Sequence, residues 1–121
     1  MAIRHYRFHV GTWAWVFHRI SGLALVLYLP LHVWVTHHIA RGPDQFNRVM
    51  EAMSTPMFKV FEVALLAAVL YHAFNGIRVI MIDLDWLATA RAQRIAFWVA
   101  GAICLPILAY AGYAFLSMHA V

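Results

Sequence analysis

The chain has 121 residues and a mass of 13.8 kDa, with 64% hydrophobic and 12% charged residues and a mean hydropathy of +0.73. Soluble domains are about one quarter charged, so this composition argues against a water-soluble enzyme. A formal charge of +4 and a pI near 9.7 come from nine Lys and Arg scattered between apolar stretches, a pattern of topology signals and not of a nucleic-acid face. A membrane span takes about 20 apolar residues; three spans and their connectors fill this length and leave nothing for a catalytic head. Any chemistry is therefore carried by a cofactor or shared with other subunits.

Residues 1–11 carry Arg4 and Arg7 and run into a segment with Trp13, Trp15, His18 and Arg19. A short apolar region followed by a small-residue cleavage site is missing there, so the first helix is expected to stay in the mature protein. The first span is expected at 12–36, with Thr12 as its N-cap. Its one full charge, Arg19, is placed at an interface, where the guanidinium snorkels or meets an anion. Beyond Gly42-Pro43-Asp44, the residues Phe46, Val49, Met50 and Met53 recur at i, i+3, i+4 and i+7, which predicts a surface helix over 44–53.

After the Thr55-Pro56 break, a second span is expected at 57–82, with Lys59 and Glu62 at its start and Arg78 near its finish. Glu62 either pairs with Lys59 at i, i+3 or serves proton transfer on the far side. Residues 83–94 form a polar turn with Asp85, Arg91, Arg94 and an interfacial anchor in Trp86. The third span, 95–118, carries no charge. The single cysteine, Cys104, lies in this run, so the chain offers neither a disulfide nor a CxxC metal site. The whole reads as one all-α integral membrane domain, 1–121. Arg4, Arg7, Arg19, Arg78, Arg91 and Arg94 on one side outnumber Arg41, Arg48 and Lys59 on the other, six to three. That bias places the N-terminus in the cytoplasm and the C-terminus outside.

Eight histidines in so apolar a chain need a reason, because ionisable groups in hydrocarbon are costly and face a cavity, a partner or a cofactor. His5, His9, His37, His38 and His119 fall near expected helix ends and read as solvated surface residues. His32 and His72 are the deep ones. His18, Gly22, Leu25, Leu29 and His32 share one stripe of the first helix, and Gly22 leaves a gap for a flat ring. Ala68 and Gly76 flank His72 at i−4 and i+4, leaving the clearance a porphyrin needs. Two readings stand side by side: imidazoles as axial ligands of haem iron, or close helix packing with the histidines hydrogen-bonded across it.

If Arg19 and Arg78 mark the same interface, His32 lies about 20 Å and His72 about 9 Å from it, a depth difference of roughly 10 Å that a kink at Pro30 would not close. One iron cannot take both. Either each histidine serves its own haem or only one is a ligand, and the sixth ligand comes from another polypeptide.

His18-Arg19-Ile20-Ser21-Gly22 on the first span, with His72-Ala73-Phe74-Asn75-Gly76-Ile77-Arg78 and Asp83 on the second, resembles the cytochrome b membrane-anchor subunit, of the C type, of succinate dehydrogenase. The motifs occupy about two dozen positions, and the three-span topology covers the chain. The resemblance implies half of a multi-helix haem-binding bundle, completed by a second small anchor subunit. It also implies a flavoprotein carrying FAD and a protein carrying iron-sulfur clusters on the cytoplasmic face of the inner membrane. These partners oxidise succinate and pass electrons to a membrane quinone.

His72 matches the family's helix-two haem ligand, and His32 a second ligand in the two-haem, two-anchor branch, which implies two haems b. His18 and Arg19 match residues at the haem propionates and the quinone pocket, where a fixed cationic fork suits a carboxylate. Gly22, Gly76 and Arg78 fall in the haem-binding motifs. Trp15, Ser21 and Asp83 join Arg19 as quinone-site candidates, with Asp83 either a proton relay or a solvated helix-end acid. The chain departs from the pattern at Trp15, where many anchors have serine, and at Val79, where some have a second histidine. Alternatives are an anchor for fumarate reductase or another quinone-linked oxidoreductase, and a haem-free structural membrane subunit.

Overall fold

In a computed structural model, which describes residues 10–117, the chain folds as α1 (Val10–His37), a 3-10 turn (His38–Arg41), α2 (Pro43–Met53), α3 (Pro56–Asp83) and α4 (Ala90–Ser117). No strand occurs among the described residues. His5, His9, His119, Arg4, Arg7 and Met118 lie outside the described residues. Three helical stretches, Gly11–Arg41, Pro56–Asp83 and Ala90–Ser117, are long and apolar enough to cross a membrane. Hydrocarbon offers no water to backbone N–H and C=O groups, so a spanning segment must close its own hydrogen-bond ladder, and the helix does so. Pro30 and Pro106 are accommodated inside α1 and α4.

The central element is α3, which packs against α1 on one side and α4 on the other. Gly112 is buried on α4, where an added Cβ would sit 3.8 Å from Val63 Cγ1; small residues let membrane helices approach. Val35 and Leu87 are the only buried hydrophobic side chains among the described residues, while Leu27, Trp98, Leu105, Tyr110 and Tyr113 are exposed. Three helices enclose almost no core. Their outer faces are left for lipid or for other polypeptides.

The helix ends follow local chemistry. Gly42 takes φ +99°, open to a residue without Cβ, and Pro43 then starts α2 at the position where a missing N–H costs nothing. On α2, Phe46, Val49, Met50 and Met53 are half-buried while Asp44, Gln45, Asn47, Arg48 and Glu51 are exposed. The end of α3 is a Schellman cap: Asp85 occupies the left-handed position at φ 61°, with Trp86 N–H bonded to Met81 O and Asp85 N–H to Ile82 O.

Three expectations change. Thr12 lies within α1 instead of capping it, because the helix is continuous across Gly11. The last helix begins at Ala90, not at the first residue of the uncharged run, because Thr89 Oγ1 accepts the Ala92 N–H at 3.1 Å and caps it there. His38 is buried and not solvated: its Nδ1–H donates to Trp34 O at 2.8 Å and its ring stands edge-on to Trp34.

Candidate imidazole site between α1 and α3

The two helices meet through their histidines. The His18 and His72 rings stack in parallel, centroids 4.1 Å apart and planes 5° from one another. Each ring lies against a glycine of the opposite helix: a Cβ at Gly22 would stand 3.1 Å from His72 Cε1, and one at Gly76 would stand 3.6 Å from His18 Cε1. The clearance that both glycines provide is thus taken by imidazoles of this chain.

His72 is held at Nδ1. That nitrogen lies 3.2 Å from the His18 carbonyl and 3.2 Å from Ser21 Oγ, and the Ser21 hydroxyl donates to the same carbonyl at 2.9 Å. A carbonyl oxygen only accepts, so Nδ1 carries a proton, and Nε2 is the nitrogen left to serve as a ligand. Metal-bound histidines are oriented in this way, the second nitrogen donating to a carbonyl. The donor set therefore fits one axial imidazole to a haem iron. His18 Nδ1 is buried and has no hydrogen-bond partner among the described residues, which calls for an acceptor or donor from outside them.

Around this pair lie residues that sequence reasoning had not assigned a role. The Tyr71 hydroxyl donates to Ala14 O at 2.9 Å, and Asn75 Nδ2 reaches the same carbonyl at 3.5 Å. Asn75, buried, accepts from Arg78 Nη1 at 3.2 Å through its Oδ1. A polar pair at i, i+4 on the histidine's own helix was the available signal for both. Arg19 is exposed and its guanidinium lies over the Trp15 ring, 4.3 Å from the centroid, a cation–π contact one turn toward the helix N-terminus.

The stacking also sets depth. His18 and His72 are level, so Arg19 is level with them, whereas Arg78 lies six residues along α3, about 9 Å away. The premise that the two arginines mark one interface does not hold. With α1 and α3 in this register, His32 lies fourteen residues beyond His18, about 21 Å along α1, roughly twice the separation that premise implied. His32 is exposed on the outer face of α1, its Nδ1 2.7 Å from the Tyr28 hydroxyl. It does not continue the stripe of His18 and Gly22 into the interface, because the buried line of α1 passes through Ser21 and Val35. Asp83, exposed at the end of α3, is eleven residues past His72, about 16 Å from the imidazole level, and so stands apart from Arg19.

Comparison with known proteins places this geometry. The model of the family described as "Succinate dehydrogenase/Fumarate reductase transmembrane subunit" matches residues 2–109. The chain is 41% identical over 107 residues to the succinate dehydrogenase 2 membrane subunit SdhC of Mycobacterium tuberculosis, covering 88% of this chain and 78% of that one. It is 38% identical over 78 residues to the succinate dehydrogenase hydrophobic membrane anchor subunit of Halobacterium salinarum, covering 64% and 60%. To the succinate dehydrogenase cytochrome b558 subunit of Bacillus subtilis it is 26% identical over 106 residues, covering 86% of this chain and 52% of that one. The chain belongs to the succinate dehydrogenase/fumarate reductase transmembrane subunit family, as an all-helical, multi-pass membrane anchor.

Proposed function

We propose that this chain is the cytochrome b anchor of a succinate:quinone oxidoreductase, holding haem b and shaping a quinone site at the end of an electron path from an iron-sulfur partner. The observation that carries the reading is the His72 imidazole, fixed by the His18 carbonyl and Ser21 at Nδ1 and so left with Nε2 to bind iron. Haem, when bound, supplies one-electron exchange. The chain's residues orient the ligand, exclude water from it with flanking helix surfaces, and present Arg19 and His18 toward propionate or quinone oxygen. The names of the relatives, all succinate dehydrogenase subunits, favour this reading over a fumarate reductase anchor.

The quinone headgroup is assigned to Arg19 and Trp15 on the exposed face of α1, whereas Ser21, about 200° around the helix from Arg19, is buried and faces His72. Asn75, Arg78 and Asp83 then lie in order along α3 and suit the polar route by which protons reach the headgroup from the cytoplasm. His32, about 21 Å from His18 along the helix, is assigned to a second haem, too far away to share the first. Both sixth ligands come from the second anchor subunit. Iron-sulfur and flavoprotein subunits dock on the cytoplasmic side of the inner membrane, where the basic excess puts the N-terminus.

A specific observation favours a second reading. The space at Gly22 and Gly76 is filled by the two imidazoles themselves, as in a haem-free anchor whose histidines serve packing. A reduced-minus-oxidised spectrum of the purified complex separates the two: b-type bands are expected, His72→Ala removes one component and His32→Ala another. A wild-type complex without such bands supports the haem-free reading, and full haem retention in His32→Ala refutes the second haem.

A further inference from the structure

We propose that Ser21 is a positioning residue for the His72 ligand, setting the electron affinity of the haem that His72 binds; this rests on the reading of His72 as an axial ligand. Ser21 is 7% exposed and sits on α1 one turn after His18. Its hydroxyl proton goes to the His18 carbonyl at 2.9 Å, which leaves its oxygen lone pairs facing His72 Nδ1 at 3.2 Å. The His18 carbonyl receives the same N–H at 3.2 Å. The imidazole proton is thus shared between two acceptors, both supplied by α1, and the ring is locked in rotation as well as in tautomer.

With its hydroxyl donating to one group and accepting from another, Ser21 has no donor left for a quinone oxygen. Its chemistry is directed at the haem ligand. Two acceptors on an Nδ1–H draw the proton outward and raise the basicity of Nε2. A more basic ligand favours ferric over ferrous iron, so the serine holds the haem's midpoint potential down. In the alternative arrangement, with one acceptor, the iron is easier to reduce.

The test uses the intact complex, with midpoint potentials from redox titration of the b-type visible band, haem stoichiometry, and the low-spin ferric EPR signal. Ser21→Ala deletes one acceptor. At the wild-type midpoint its reduced-to-oxidised ratio is expected to rise about two- to tenfold, the range of one hydrogen bond in equilibrium terms, with a shifted EPR maximum. Ser21→Thr keeps a hydroxyl able to bond the carbonyl one turn back and is expected to titrate like wild type. An unchanged midpoint in Ser21→Ala at full haem content overturns the proposal. Loss of haem from Ser21→Ala alone supports it, and loss from both variants overturns it, because the hydroxyl is then not what matters. His72→Ala is the control: full haem there means that the ligand assignment itself fails, whereas loss of haem there with a silent Ser21→Ala rejects only the serine's role.

Discussion

Replacing Gly22 by alanine tests the α1–α3 contact at its tightest point. The added methyl would lie 3.1 Å from Cε1 and 3.5 Å from Nδ1 of His72, inside the roughly 3.5–4.0 Å of an ordinary carbon–carbon contact. A few tenths of an ångström must be found, and the ring cannot easily yield them. Its Nδ1 is held by Ser21 and the His18 carbonyl at 3.2 Å each, and the His18 ring stacks on it at 4.1 Å. Overpacking of this kind costs about 1–3 kcal/mol, against up to about 1 kcal/mol that alanine gains over glycine within a helix. The expected net loss is about 0–2 kcal/mol, or an up to roughly thirtyfold weaker hold on haem.

Gly76→Ala is the matched control, because its methyl would meet His18 Cε1 at an ordinary 3.6 Å and keeps the helix gain. Haem per complex, measured by difference spectrum during detergent or thermal challenge, should fall for Gly22→Ala and stay at or above wild type for Gly76→Ala. Equal behaviour of the two variants would refute the packing argument, and the reverse order would place the rings elsewhere.

Other perturbations probe the polar contacts around the same crossing. Tyr71→Phe removes the hydroxyl that donates to Ala14 O at 2.9 Å and is expected to cost about 0.6–1.7 kcal/mol of helix association, read as a lower unfolding midpoint of the complex with its haem spectrum unchanged. Asn75→Ala also frees Arg78 from its 3.2 Å contact; its loss should exceed that of Tyr71→Phe, and a smaller one would mean that the amide is idle. Arg19→Gln keeps a polar side chain but shortens it and removes the charge over Trp15. At about 1.5–3 kcal/mol for a hydrogen bond to a charged group, kcat/KM for a soluble short-chain quinone should fall about ten- to hundredfold. Succinate oxidation by an artificial dye should be spared, and parallel loss of both activities would argue for a structural role.

Much of the site was legible in the residues because the motif places them: His18 and Ser21 share a helical turn, and His72, Asn75 and Gly76 share another. Their partnership across helices was not legible. In the sequence the glycines offer clearance for a porphyrin, yet an imidazole is also a flat ring and reaches that space from within the chain. His38 has the place of a surface residue near a helix end, but the backbone stays helical through His37, so its ring sits one turn after Trp34, bonded to the Trp34 carbonyl and edge-on to its indole. The uncharged run begins only at Ile95, but one side-chain oxygen, on Thr89, is enough to start the helix earlier.

Run length and composition by themselves determine that this chain is helical and crosses a membrane, since lipid leaves a segment of this length no other way to satisfy its backbone. The alignment of α1 against α3 was decided only in three dimensions. Arginine side chains are long and bend toward the interface, so Arg19 and Arg78 are poor rulers of depth. The register instead comes from two rings interleaved with two glycines, a fit between surfaces far apart in sequence. That fit puts His72 beside His18 and His32 near the opposite end of α1.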